Sequence, residues 1–253
     1  MKIKLNINKS IHENAASYYE DAKEARKKIK GLEQAIKDTE KELESAKKKK
    51  IEKDVRVQRK KEWFEKFNWF YTSAGKLTIG GRNAQQNDQV FAKHMEDADL
   101  FFHADIQGGS AIILKDGVNA SEQELKEAAQ FAASYSKAWR NANAAVDVYA
   151  VRKEQLSKHA AGGFIPTGAF AISGKRIWFR GTRLAVRIGK SEDSLELVPN
   201  CSTKKLTAES TLLPAKAGKE KGALAKLLAK TLSVHPDELL ERLPNGLTKI
   251  AKK

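Results

Sequence analysis

The sequence predicts an α+β protein: a long helical arm followed by a mixed or antiparallel sheet domain with helices packed on it. Three observations predict it. From Ile11 to Ala46, apolar or small residues fall at steps of four and three (Ile11, Ala15, Tyr18, Ala22, Ala25, Ile29, Leu32, Ile36, Thr39, Leu43, Ala46), which is the a/d seam of a coiled coil. From Lys76 to Val198 short β-branched or aromatic runs recur (KLTI, LFFHA, AIILK, AVDVYAV, AFAIS, KRIWF, RLAVRI, LELV), and 11 of the 16 glycines lie between Gly80 and Gly189. That is a turn-rich sheet region. The helical patterns stand mostly outside those runs instead of alternating with them, which argues against a doubly wound sheet.

The elements follow in order. Ile3 to Ile7 alternates apolar and polar residues, as a short strand does. Ser10 and Glu13 form a capping box at the start of the arm, which at 1.5 Å per residue reaches roughly 54 Å. Several seam positions are Ala, so a partner helix approaches closely. The segment Ile51 to Phe70, folding back after the lysine run Lys47 to Lys50, is the expected partner in a helical hairpin; a continuous helix or pairing between chains are the alternatives. Trp63, Phe67 and Phe70 share one helical face beside Phe64, Trp69 and Tyr71, a cluster that packs a helix onto a domain or stacks bases. Ser121 and Glu124 form a second capping box ahead of a stripe of Leu125, Ala128, Ala132, Tyr135 and Trp139. After Lys204 come a basic amphipathic helix (GKEKGALAKLLAKTL) and a second helix from Pro236 to Pro244. The expected domains are therefore an arm over 1–70, an α+β domain over 71–200 and a basic helical extension over 201–253.

Composition limits the function. Lys plus Arg number 47 against 32 Asp plus Glu, a formal net charge of +15, which attracts polyanions, nucleic acid above all. Cys201 is the single cysteine, so neither an internal disulfide nor a cysteine zinc site is available. His12, His94, His103, His159 and His235 show no metal-binding spacing. No apolar run reaches membrane-spanning length, and the N-terminus lacks the apolar core of a signal peptide. The expectation is a cytoplasmic protein with no cofactor, no metal and no membrane partner.

Several uncommon strings then occur in one order over roughly 170 residues: NKSIHENAASYYEDAKEARKK, EWFEKFNWF, GGRNAQQN, FHAD, AAQFAASYSKAW, VYAV with QLSK, and TGAFAISGK. With these the chain resembles the NFACT family, the RqcH and NEMF class of ribosome quality-control factors, over its coiled-coil arm and NFACT-R domain. The resemblance implies a non-enzymatic RNA-binding module that meets tRNA and the rRNA of stalled large ribosomal subunits bearing peptidyl-tRNA. Other quality-control proteins would be reached through the arm. The family's N-terminal domain and helix-hairpin-helix segments have no counterpart here, so the expectation is either a short member or a fragment. Asn83 stands where the family motif often carries Asp.

The candidate RNA-binding residues are Gly80, Gly81, Arg82, Asn83, Gln85, Gln86, Asn87, His103, Asp105, Ser157, Lys158, Lys175 and Arg176. Gly80 and Gly81 let a ligand approach the main chain. Arg82 offers a fork of donors suited to phosphate. Asn83, Gln85, Gln86 and Asn87 either bond ribose and base edges or satisfy a buried turn and cap the next helix. His103 and Asp105, two apart, organise a polar cleft; a nucleic-acid-processing enzyme built on this pair, with His159, is one alternative function, and a coiled-coil scaffold is another. Ser157 and Lys158 precede a Gly-Gly pair. Lys175 and Arg176 are exposed at a hairpin, with Arg180, Arg183 and Arg187 near in sequence, and no P-loop frame surrounds SGK.

Overall fold

The computed structural model describes residues 3–8, 10–54, 61–159, 165–191 and 194–251, with the backbone alone for 44–54. It divides into two units, Met1–Lys61 and Glu62–Lys253.

The first unit is one helix, α1 (Ile11–Asp54). Its start is fixed by side chains: the Ser10 amide donates to Glu13 Oε2 at 2.7 Å, and the Glu13 amide donates to Ser10 Oγ at 3.3 Å. Ile3 to Ile7 does not form the expected strand. Its alternation finds no neighbouring strand, and side chains of α1 hold it instead. The Asn6 amide donates to Asn14 Oδ1 at 2.8 Å, Asn14 Nδ2 returns a bond to the Asn6 carbonyl at 3.0 Å, and Tyr18 reaches the Lys4 carbonyl at 2.6 Å. The helix runs through Lys47–Lys50 to Asp54 without turning back, because a lysine run has good helix propensity and contains no breaker. Of the expected second hairpin helix, 51–54 continue α1, 55–60 lie outside the described residues, and from Trp63 to Phe70 a 3-10 turn and a strand form in place of an α-helix. Ile29, Leu32, Ile36 and Leu43 of the seam are all more than half exposed.

The second unit opens with a 3-10 turn at Trp63–Lys66. Strands β1 (Asn68–Tyr71) and β2 (Leu77–Gly80), helix α2 (Ala84–His94), then β3 (Leu100–Ala104) and β4 (Ile112–Leu114) follow. After these come α3 (Glu122–Ser134), α4 (Lys137–Arg140), β5 (Ala145–Arg152), and the short pair β6 (Leu156–Ser157) and β7 (Ala171–Ile172). Next are β8 (Ile177–Arg183), β9 (Val186–Ser191), β10 (Ser194–Pro199) and β11 (Thr207–Lys219). The last elements are α5 (Lys221–Leu232), α6 (Pro236–Arg242) and β12 (Thr248–Ile250). The main sheet is antiparallel in the order β1-β2-β4-β3-β5-β8, and a second has the order β10-β9-β11-β12.

Alternation along the strands sorts the core into two layers. Leu100, Phe102 and Ala104 face α3 and join Phe70, Phe131, Trp139, Val148 and the second sheet's Val186, Ile188 and Leu197. Phe101, with Ile79, Ile113, Tyr149 and Val151, faces α2 and the aromatic entry segment with Phe64 and Phe67. The aromatic segment was expected on one helical face. It forms a 3-10 turn and a strand, so Phe67 and Phe70 enter opposite layers, with Phe70 packed on Phe131 at 4.6 Å between ring centroids. Run EWFEKFNWFYT fits both periods, and aromatic content favours the strand.

The C-terminal residues are no appendage. β11 and β12 complete the second sheet, and Leu224, Leu228, Leu232, Leu239 and Leu243 belong to the larger core layer. Trp139 Nε1 donates to Thr248 Oγ1 at 2.9 Å. β11, TAESTLLPAKAGK, alternates too weakly to announce itself. No helix among the described residues is long and apolar enough to cross a membrane.

Glu124, the second capping-box carboxylate, is buried and ties α3 to the β1–β2 hairpin. It accepts from the Ser121 amide and hydroxyl and from Thr72 Oγ1, each at 2.9 Å. Burial pushes its carboxyl up, but the bonds from Ser121 and Thr72 outweigh that, so the group stays below its ordinary value. A depressed carboxylate stabilises the fold above its unfolded pKa, and this contribution is lost as pH falls through the folded value. Glu124→Gln is expected to cost about 1–3 kcal/mol in urea unfolding at neutral pH. The gap from wild type should shrink progressively below about pH 4.

Candidate nucleic-acid interface

The segment Gly80–Asn87 joins β2 to α2, and most of its polar groups serve the chain itself. Asn83 Oδ1 caps α2 by accepting from the Gln86 amide at 2.9 Å. The Arg82 amide donates to Gln86 Oε1 at 3.0 Å, and Arg82 Nη2 donates to the Glu65 and Phe67 carbonyls at 3.2 and 3.1 Å. Gln86 Nε2 reaches the Lys66 carbonyl at 3.3 Å. Asn87 is buried; its Oδ1 accepts from the Ala111 amide at 3.1 Å and its Nδ2 donates to the Gly109 carbonyl at 3.5 Å. The Ser110 hydroxyl bonds the Gly81 carbonyl. At Gly81 an added Cβ would stand 2.6 Å from the Asn87 backbone nitrogen, so only glycine lets α2 come this close. Gly80 packs against Ile112 of the core. Gln85 is exposed.

These clamps shape one wall of a cleft of about 710 Å³, within the range of roughly 300–1,000 Å³ common for ligand sites. Gly81, Arg82, Asn83 and Asn87 line it together with Gly109 and Ser110, to which Asn87 and Gly81 are hydrogen-bonded, and with Gly108, Ser134–Lys137 and Arg140. The sheet face supplies Phe101, His103 and Tyr149, and the Pro166–Phe170 loop, packed on the start of α2, completes the lining. Three basic side chains, Arg82, Lys137 and Arg140, line the cleft, and no carboxylate does. Lys137 and Arg140 carry no ion pair among the described residues.

The remaining candidates take other positions. Lys158 pairs with Asp88, donates to the Ala169 carbonyl at 2.7 Å and lies 4.3 Å from the Phe170 ring centroid. Gly168, at φ +81°, packs on Ala84 and donates its amide to Asp88 at 3.1 Å. Lys158 therefore buttresses the loop wall from behind. Ser157 closes a local turn with His159, Oγ bonding the His159 amide and carbonyl at 2.9 Å. Arg176 lies over Tyr149 at 4.6 Å and Trp178 at 5.7 Å, so it borders the cleft through Tyr149. Lys175 is exposed and does not line the cleft.

No hydrogen bond or ion pair joins His103 and Asp105. Asp105 lies beyond the end of β3, its amide bonded to the Asp147 carbonyl at 2.7 Å. Burial holds the His103 imidazole below its ordinary pKa, against opposing effects from the Ala104 and Gly109 backbone and the Asp105 charge. Its Nδ1 is enclosed without a hydrogen-bond partner among the described residues. At neutral pH this ring is uncharged, and Gly109 packs directly against it. No group of three or more His, Cys, Asp or Glu that could hold a metal occurs among the described residues.

Lys137, Arg140 and Lys221 are absent from the sequence-based candidates. A signal for the first two exists: they stand three apart, flanking the buried Trp139, so they share the face turned from the core. Lys221 lines a side recess of about 340 Å³ with Arg82, Glu241 and Leu243, and this recess shares Asn68, Arg82, Tyr135 and Asn245 with the main cleft. Lys221 Nζ donates to Asn245 Oδ1 at 3.0 Å. Burial first, then the Arg82 charge, bring its pKa down to about 8. Nothing in the linear sequence brings Lys221 to Arg82.

Residues 66–174 match the family described as NFACT protein RNA binding domain. The Archaeal Rqc2 homolog aRqcH of Methanocaldococcus jannaschii is 35% identical over 211 residues, covering 80% of this chain and 31% of its own length. The Ribosome quality control complex subunit NEMF homolog of Drosophila melanogaster is 37% identical over 195 residues, covering 72% of this chain and 19% of its own. The chain thus spans less than a third of these relatives. Among solved structures, the C-terminal part of the fibronectin/fibrinogen-binding protein of Streptococcus suis aligns with a TM-score of 0.41 at 23% identity, covering 68% of this chain and 76% of that one.

Gly81→Ala is expected to lower stability by about 1–3 kcal/mol in denaturant unfolding, since the Asn87 backbone must shift to admit a methyl group. Gly31→Ala, whose added Cβ meets nothing within 4 Å, is expected to leave the second unit's unfolding midpoint unchanged.

Proposed function

Since the chain belongs to the NFACT family, we propose that it is the RNA-binding part of a ribosome quality-control factor, and that the cleft between α2, α4 and the main sheet is its RNA contact. One observation carries this reading: in a chain with 32 acidic residues the cleft has none in its lining, while Arg82, Lys137 and Arg140 all line it. Phosphate oxygens are acceptors only, and a wall of cations and backbone amides without carboxylates suits them. Lys137 and Arg140 bind phosphates directly. Arg82 does so with the part of its guanidinium not committed to Glu65 and Phe67, and Lys175 and Arg176 extend the basic path past Tyr149. Gln85 and Gln107 offer amides for ribose or base edges.

The RNA is tRNA or the rRNA of a large subunit carrying peptidyl-tRNA, and the role is positioning without turnover, in the cytoplasm. α1, 44 residues long and so about 66 Å at 1.5 Å per residue, sets distance and offers its seam to a partner helix.

The test is tRNA affinity across a salt series. Binding is expected to weaken steeply between about 50 and 200 mM salt. The Lys137→Ala, Arg140→Ala double variant should flatten the log–log slope by about two units, one for each phosphate contact. Affinity indifferent to salt, or a slope unchanged in the double variant, would overturn the reading.

A further inference from the structure

Strand β8 ends the main sheet, and residues 175–183, KRIWFRGTR, hold four cations and no carboxylate. Trp178 is the register partner of Tyr149 on β5, and the two rings meet edge to face at 5.5 Å. Arg176, two residues before Trp178, stands on the same face of the sheet. Its guanidinium carbon lies 4.6 Å from the Tyr149 centroid and 5.7 Å from that of Trp178, and the Arg180 guanidinium carbon lies 3.8 Å from Trp178. Two guanidinium groups are thus held round one indole, beside the cleft that Tyr149 lines.

At Arg180 and Gly181 the strand bulges: both residues stand opposite Asp147, and Gly181 takes φ +59°. Asp147 spends both oxygens there, accepting from Arg180 Nη1 at 2.6 Å and from the Gly181 amide at 2.7 Å. Arg180 commits one nitrogen to it and its side chain remains 62% exposed. Arg176 makes no hydrogen bond or ion pair among the described residues. A second carboxylate, Asp105, acts on the Tyr149 hydroxyl through its charge, so acidic groups near this face number two against Lys175, Arg176 and Arg180.

A bulged edge strand carrying cations is a poor template for a further strand, so this edge offers its side chains and not its main chain. Arg180 already lies over the indole, so the ring serves the cations and is no bare surface for a base. A guanidinium steadied on an aromatic ring gives up little freedom when its fork meets phosphate oxygens. We propose that the β8 face carrying Arg176, Trp178 and Arg180 is a second RNA-binding site, separate from the cleft, which takes two phosphates of the backbone without reading bases. This rests on the RNA-binding reading above and adds a contact beyond the cleft.

The experiment is tRNA affinity of the full chain across a salt series. Arg176→Gln with Arg180→Gln is expected to flatten the log–log slope by about two units, one for each phosphate. Lys226→Gln with Lys230→Gln removes the same charge from the exposed side of α5 and should leave the slope near that of the wild type. Trp178→Leu keeps an apolar side chain but removes the ring that steadies both cations, and should weaken binding about fivefold. The loss in the arginine variant should be the same for two tRNAs of different sequence. Thermal unfolding of each variant checks that it is folded. A slope unchanged in the arginine variant, or flattened equally by the lysine variant, overturns the β8 site and leaves the cleft to the Lys137, Arg140 test. Unaltered affinity in Trp178→Leu, or a loss confined to one tRNA, also overturns the site as described. Wild-type affinity indifferent to salt overturns it together with the RNA-binding reading.

Discussion

The Asn87 carboxamide is what the cleft's shape depends on. One short side chain accepts from Ala111 at the start of β4 and donates to Gly109 in the turn after β3, while its own backbone presses on Gly81 at the end of β2. Three separate segments are joined through one buried amide. Both its oxygen and its nitrogen are used, so replacing it would leave main-chain groups unsatisfied in a buried place. Gly81 is glycine because Asn87 is there, and the Gly108–Gly109 turn lies against His103 under the same constraint.

That arrangement separates two kinds of polar group around the cleft. The residues of the sequence's most conspicuous run, Arg82 to Asn87, are largely spent on carbonyls and amides of their own chain, as are Ser157 and Lys158. Spent groups give rigidity. The groups left for a ligand, Lys137 and Arg140, come from α4, whose neighbours hold Trp139 in the core so that both charges stand on the open side. A binding surface is thereby divided between residues that hold the shape and residues that bind, and few do both. Arg82 is the exception, with one nitrogen bonded to the Glu65 and Phe67 carbonyls while it lines cleft and recess alike.

Much of the fold was legible in the sequence because local signals and tertiary packing agree. The capping boxes at Ser10 and Ser121 both form, since a capping box needs only residues three apart. The glycine-dense strands appear in an antiparallel sheet, since alternation and turn residues specify it. The misses have physical reasons of the same kind. Trp63 to Phe70 fits two periods, and long-range pairing of β1 with β2 decides between them. β11 is recruited by β9 and β12, which its own residues do not announce. Of the candidate site, the glycine and asparagine positions were legible, but which of their donors remain for a ligand depends on carbonyls as distant in sequence as Glu65 and Gly109. The recess of Arg82 and Lys221 arises only when α5 packs beside the sheet.

The central claim is that RNA contacts this protein at the cleft whose wall Asn87 fixes. Ultraviolet crosslinking of the full chain to tRNA, with the joined residues mapped by mass spectrometry, tests it most directly. The account predicts adducts on the peptides that carry Tyr135 to Arg140 and Phe170, on either side of the cleft. Adducts confined to the second sheet or to α6, with those peptides unmodified, would contradict it.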